Sequence, residues 1–193
     1  MCSSRRYKRV SSMAMDHGPG KLICLSGFMG SGKSTVGRLL ARQVGWLHVD
    51  LDARIEQTAG LEIPQIFAQL GEPEFRRMEQ EELQRAIGEA AESQSSRIVS
   101  LGGGTVAQPG NVALLRERAA ILIWLECPVD LLLSRCAQIT NRPLFRDEFS
   151  FRELYRRRLP FYQLSDYRVD SSAEPARVVE QILALGIFSK VIA

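Results

Sequence analysis

Eight consecutive residues, Gly27-Phe28-Met29-Gly30-Ser31-Gly32-Lys33-Ser34, carry three glycines, a lysine and a hydroxyl at the spacing G-x-x-x-x-G-K-[ST]. Glycines at these places let the backbone curl until successive N–H groups face one point, which is what an anion needs. Lys33 has the reach for the β- and γ-phosphates of a nucleotide, and the Ser34 hydroxyl can ligate Mg²⁺. Gly30, Ser31, Gly32 and Thr35 complete the cradle. The chemistry implied is the binding of ATP or GTP. A glycine-rich turn alone would carry little weight; its flanks decide the matter.

Those flanks have the required order. Lys21 to Ser26 is an apolar run of strand length, and Val36, Leu39, Leu40 and Val44 then recur at helical spacing. A strand, a loop and a helix N-terminus follow one another, so the positive end of the helix adds to the cradle. Trp46 to Asp50 reads as a second strand. Asp50 and Asp52, two apart, point to one side if the extended geometry persists. Residues 52–70 hold two short helical pieces broken at Gly60 and Pro64, and Gly71-Glu72-Pro73 opens a longer helix with an apolar stripe through Phe75, Met78, Leu83 and Ile87. Arg97 to Leu101 is a third strand, followed at once by Gly102, Gly103 and Gly104. A helix over 111–118 comes next. Ala120 to Leu125 is apolar throughout, as in a strand buried on both faces.

Pro128 starts a further helix, 140–148 is polar and loop-like, 150–159 is a charged helix, and Tyr167 to Asp170 is a last strand before a helix opened by Pro175. Five strands alternating with helices predict a single three-layer α/β/α domain over 21–193, built on a five-stranded parallel sheet of the phosphate-loop NTPase type.

Charge and cysteine usage narrow the function. The net charge is +3, and the arginines and lysine among residues 1–20 account for all of it, so 21–193 is neutral. A nucleic-acid binder carries its excess on the folded domain, so nucleic acid is excluded as a partner. Residues 1–20 are basic and aperiodic and read as a disordered tail without a secretory core. No apolar run approaches a membrane span. Cys2, Cys24, Cys127 and Cys136 show no metal-ligand spacing and read as thiols in a reducing cytoplasm.

Six stretches in order (GFMGSGKSTVG, HVDLDARIE, IFAQLGEPEFRRME, LGGG, RPLF and RRRLPFY) resemble the shikimate kinases, of the nucleoside-monophosphate-kinase-like group. The resemblance runs from about Lys21 to the C-terminus. It implies transfer of the ATP γ-phosphate to the 3-hydroxyl of shikimate, with Mg²⁺ as cofactor, on the way to chorismate and aromatic amino acids. Asp50 then holds Mg²⁺ with Ser34, directly or through water, and Asp52 orients the attacking hydroxyl or takes its proton. In the alternative, ordinary use, Asp50 ends its strand and Asp52 caps a helix.

Arg76 and Arg158 match the carboxylate-binding positions, where a guanidinium fork fits as lysine does not. Gly102, Gly103 and Gly104 match substrate-contacting positions, against the plainer reading of a tight turn. Arg77 and the neighbours Arg156 and Arg157 are read as solvated. Arg142 lies on a mobile lid over roughly 140–158 that closes a cation onto the transferring phosphate, and Arg135 matches the residue stacked on adenine. Ser171 to Pro175 corresponds to the adenine loop but is short and lacks an arginine, and the lid is trimmed. His17 and His48 are given no catalytic part.

A cytoplasmic monomer is expected. Two other readings stand beside the kinase for shikimate. One is a related kinase for gluconate or a nucleoside monophosphate. The other is an inactive, shikimate-kinase-like binding protein, against which the joint presence of Lys33, Ser34, Asp50, Asp52, Arg76, Arg142 and Arg158 speaks.

Overall fold

The computed structural model describes residues 20–137 and 147–188. Leu22–Ser26 (β1) is buried along its whole length, so both faces of the strand must be covered and its partners must lie on both sides. Leu47–Asp50 (β2), Arg97–Ser100 (β3), Ile121–Glu126 (β4) and Tyr167–Asp170 (β5) join it in one sheet of order β2-β3-β1-β4-β5. Every pairing is parallel. The five-stranded parallel sheet expected from the alternation of strands and helices is the one observed.

Strand alternation divides the core in two. Ile23, Leu25, Ile98 and Ile123 face Lys33–Val44 (α1) and Pro175–Leu183 (α8) on one side. Leu22, Cys24, Val99 and Leu122 face the other side, covered by Gly71–Ser93 (α4), Asn111–Glu117 (α5), Val129–Ala137 (α6) and Glu148–Tyr162 (α7). Leu51–Ala59 (α2) and Ile63–Gln69 (α3) form an outlying lobe with the start of α4 around Ile55, Ile66 and Phe75. Among the described residues no helix is long and apolar enough to cross a membrane.

Three local readings change. Leu39 does not belong to the buried stripe of α1: it is exposed, and Gly37 takes its place against the sheet. The extended geometry of β2 stops at Asp50, because that carboxylate caps α2 by accepting from the Ala53 N–H at 3.3 Å. Helix α7 continues to Tyr162 through Pro160. That proline costs one hydrogen bond to the exposed Arg156, near the helix end, where water can replace it. Of the stretch 140–158, residues 147–158 are described. Asp147 caps α7, Phe151 in its first turn is buried, and so is Arg158 further along the helix. Arg142 and most of the basic tail lie outside the described residues.

Candidate active site

The carboxyl ends of β1, β2 and β3 open onto a cavity of about 530 Å³. This is where an open parallel sheet places its ligands, because the connections leave in opposite directions on either side of β1. The loop after β1 takes its shape from glycine. Gly27, Gly30 and Gly32 have φ of 144°, 81° and 88°, values that a side chain resists. At Gly30 a Cβ would also sit 2.9 Å from Cys136 Sγ, so the loop lies directly on α6. The Lys33 ammonium is held inside the loop, donating to the carbonyls of Gly27 at 2.8 Å and Phe28 at 3.0 Å. Ser34, at the start of α1, lines the cavity with Asp50 and Asp52. Both aspartates reach one space although the chain between them turns from strand into helix. The cap is Asp50, and Asp52 stands in the first turn of α2.

The opposite wall is cationic. Arg76 donates to Glu79 Oε2 at 2.8 Å and to Glu72 Oε1 at 3.0 Å, and the fully buried Glu79 also accepts from Thr105 Oγ1 at 2.6 Å. Burial alone would lower the Arg76 pKa, but the Glu79 and Glu72 carboxylates outweigh it and leave the guanidinium above its ordinary value. Arg158 differs. Only 7% exposed, it lies over the Phe28 ring at 5.7 Å and interacts with Tyr162; among the described residues no carboxylate stands within ion-pair distance of it. Burial pushes its pKa down, Tyr162 opposes, the charge of Arg76 pushes it further down, and the Glu79 carboxylate, beyond ion-pair distance, opposes again.

Of the glycines after β3, Gly102 and Gly104 are crowded, and none of the three has a positive φ. A Cβ at Gly102 would come within 2.5 Å of Glu79 Oε1 and 2.9 Å of Asp52 Oδ1. One at Gly104 would lie 2.8 Å from Arg76 Nη1 and 3.1 Å from Arg158 Nη2. Gly103 and Gly104 therefore line the cavity between the two arginines, while Gly102 is packed behind it. Tyr162 Oη donates to the Gly103 carbonyl at 2.5 Å and holds that turn in place. Its own pKa is raised by burial, so the hydroxyl stays protonated as the donor.

Known proteins of this sequence pattern answer the question of kinship. The family model for shikimate kinase matches residues 29–185. The chain belongs to the shikimate kinase family. A shikimate kinase of Moorella thermoacetica is 39% identical over 163 residues, 83% of this chain and 90% of that protein. One of Chlorobium chlorochromatii is 40% identical over 79% of this chain and 83% of its own length. Among solved structures, shikimate kinase from Acinetobacter baumannii in complex with shikimate matches with a TM-score of 0.79 at 34% identity, covering 90% of this chain and 96% of that one. A gluconokinase from Sinorhizobium meliloti shares the fold, with a TM-score of 0.57 at 23% identity. As a member of this family the chain is an ATP-dependent phosphotransferase.

The remaining positions singled out from the sequence fall partly on the cavity wall and partly away from it. Arg135 donates to the Gly30 carbonyl of the phosphate loop at 3.4 Å and to the carbonyls of Ser171 at 3.1 Å and Ser172 at 3.0 Å, so it ties the phosphate loop to the loop after β5 without lining the cavity. Thr35 is exposed and Ser31 is buried. Arg77 is exposed and bridges Glu74 and Glu81; Arg156 and Arg157 are exposed, as expected. The rings of Phe67 and Phe75 pack 4.7 Å apart on the cavity wall. Arg38 and Glu56 also line the cavity and were not anticipated. Arg38 carried a signal, since it stands one helical turn beyond Ser34 and so on the same face. Glu56 carried the same signal, one turn beyond Asp52 in α2; for Thr105 and Tyr162 the sequence offers no local cue, because their roles depend on contacts across elements.

Proposed function

We propose that this chain transfers the γ-phosphate of ATP to the 3-hydroxyl of shikimate, giving 3-phosphoshikimate and ADP, as a cytoplasmic monomer. The observation that carries the reading is Arg158. Among the described residues no carboxylate stands within ion-pair distance of it, and a guanidinium so buried is unfavourable unless an anion arrives to meet it. It lies beside Arg76 across Gly104, on the wall of a cavity that also holds Asp52. Two forks on one side and a carboxylate in the same space suit a small polyhydroxy acid, gripped at its carboxylate and oriented at a hydroxyl.

In this reading Arg76, Arg158, Gly103 and Gly104 hold the carboxylate end, and Asp52 accepts a hydrogen bond from the attacking hydroxyl. Gly30, Ser31, Gly32 and Thr35 cradle the phosphates, Lys33 neutralises charge at the β- and γ-phosphates, and Arg142 joins it when the lid closes. Arg135 orders the loop beneath the base. Transfer of this kind needs placement and charge neutralisation more than covalent chemistry.

Ser34 and Asp50 fit a Mg²⁺ ion: one hydroxyl and one carboxylate line the same cavity, and this ion takes few protein ligands besides phosphate oxygens and water. When bound, the ion would neutralise phosphate charge. Asp50→Asn tests the assignment without disturbing the fold, since asparagine caps a helix as well as aspartate does. The variant is expected to need more Mg²⁺ for half-maximal turnover while α2 and the thermal midpoint are retained. A Mg²⁺ titration that overlays that of the unaltered protein would remove Asp50 from the ion's ligands.

The acceptor is tested by ADP release with shikimate, gluconate and nucleoside monophosphates offered separately. Turnover is expected with shikimate alone. Turnover with gluconate or a monophosphate in preference would overturn the acceptor assignment, and none with any acceptor would favour an inactive binding protein.

A further inference from the structure

The side of α1 that packs on the sheet is apolar at Val36, Leu40 and Val44, with one interruption. At Gly37 the place of a side chain is taken by two polar groups from the sheet. A Cβ there would lie 2.5 Å from Ser100 Oγ and 2.7 Å from His48 Nε2. These two groups are 3.0 Å apart, and the Ser100 hydroxyl continues by donating to the Lys33 carbonyl at 2.9 Å. A hydroxyl has one proton to give. With that proton on the Lys33 carbonyl, Ser100 must accept from the ring, so His48 carries its proton on Nε2 and starts a relay of two hydrogen bonds.

The relay touches three elements at informative places. His48 lies on β2 two residues before Asp50, Ser100 lies on β3 two residues before Gly102, and the last acceptor belongs to Lys33 itself. Ser100 is buried, and burying polar groups between a helix and a sheet gains little over an apolar pair of the same shape. Stability alone therefore does not account for the arrangement. A second donor on the Lys33 carbonyl, which already serves the helix, draws the first turn of α1 down onto the strands that carry Asp50.

We propose that His48 and Ser100 form a positioning brace that sets Lys33 and Ser34 against Asp50, and so governs the nucleotide side of the site and not the acceptor side. The inference rests on the reading above, in which Lys33, Ser34 and Asp50 serve ATP and Mg²⁺. Neither brace residue touches a substrate; both act through Lys33 and the turn it begins.

The experiment measures KM for ATP, half-saturating Mg²⁺, the shikimate Kd and the thermal midpoint in His48→Leu, His48→Gln, Ser100→Ala, Gly37→Ala and the Gly37→Ala/Ser100→Ala pair, with Lys33→Ala alongside. Loss of one buried hydrogen bond is expected to raise KM for ATP roughly fivefold to tenfold in His48→Leu and Ser100→Ala, with the shikimate Kd held within about twofold. His48→Gln, whose amide nitrogen reaches the place of Nε2 and can donate, should recover most of the loss. Gly37→Ala should be worse than either, and removing the Ser100 hydroxyl should relieve it in part by making room. The brace is overturned if ATP and shikimate affinities fall together in step with the thermal midpoint, or if His48→Gln is as poor as His48→Leu. It is also overturned if His48→Leu and Ser100→Ala match the unaltered protein while Lys33→Ala is inactive. A Lys33→Ala variant that keeps its ATP affinity and turnover would instead sink the reading of the site beneath it, and the brace with it.

Discussion

Lys33→Ala is expected to lower turnover roughly 10²- to 10³-fold or more, the scale on which removing a single preorganised charge-stabilising donor acts. The structure places the ammonium inside the phosphate loop, donating to two backbone carbonyls, those of Gly27 and Phe28. Its removal creates no hole in either apolar core, because those carbonyls belong to a loop and Lys33 is a member of neither cluster. The thermal midpoint should accordingly stay within a few degrees of the unaltered protein. Lys33→Arg keeps the charge but replaces a compact ammonium by a planar fork that cannot occupy the same point, and it should recover little. Turnover of Lys33→Ala within tenfold of the parent would show that the loop does not act on the phosphates.

Lys33 was legible because the loop that holds it is local: glycine spacing, lysine and hydroxyl all fall within eight residues. The sheet was legible for a similar reason, since strands buried on both faces, such as Ile121–Glu126, must be nearly continuous in apolar residues. Other features depend on distant partners. Asp50 and Asp52 were expected to share a side through extended geometry. They share a cavity for another reason, that Asp50 caps α2 and the first turn swings Asp52 inward. Leu39 has the spacing of a buried residue, yet Gly37 faces the sheet, because His48 and Ser100 occupy the space where its side chain would be. The pairing of Arg76 with Glu79, one turn on in the same helix, was legible in the sequence. The fold adds that Arg158 is buried and, among the described residues, has no carboxylate within ion-pair distance, the Glu79 charge acting on it from further off.

That difference sets the sharpest test of the acceptor site. Arg76→Ala strands Glu79, which is fully buried and, among the described residues, would keep only Thr105 as a hydrogen-bond partner. Breaking such a pair costs on the order of 3–5 kcal/mol of stability, so a loss of binding there would be mixed with a loss of fold. Among the described residues Arg158 has no ion pair to break, only the charge of Glu79 beyond that distance. Arg158→Met keeps the length and the packing over Phe28 while removing a desolvated charge, so its thermal midpoint is expected to hold or rise.

Shikimate binding should move the opposite way in that variant. A bound carboxylate left without its fork loses on the order of 2–5 kcal/mol, roughly thirtyfold to several thousandfold in Kd. Arg158→Lys should recover part of this, since an ammonium keeps the charge without the two-point geometry. ADP affinity should be unchanged in both, and Arg157→Ala, on the exposed side of α7, should resemble the unaltered protein throughout. The measurement is a calorimetric titration of each variant with shikimate and with ADP, beside its thermal midpoint. Stability retained and shikimate affinity lost would identify Arg158 as a cation kept buried for its ligand. If Arg158→Met binds shikimate as tightly as the parent, the carboxylate does not sit between the two arginines, and the acceptor must lie against another wall of the cavity.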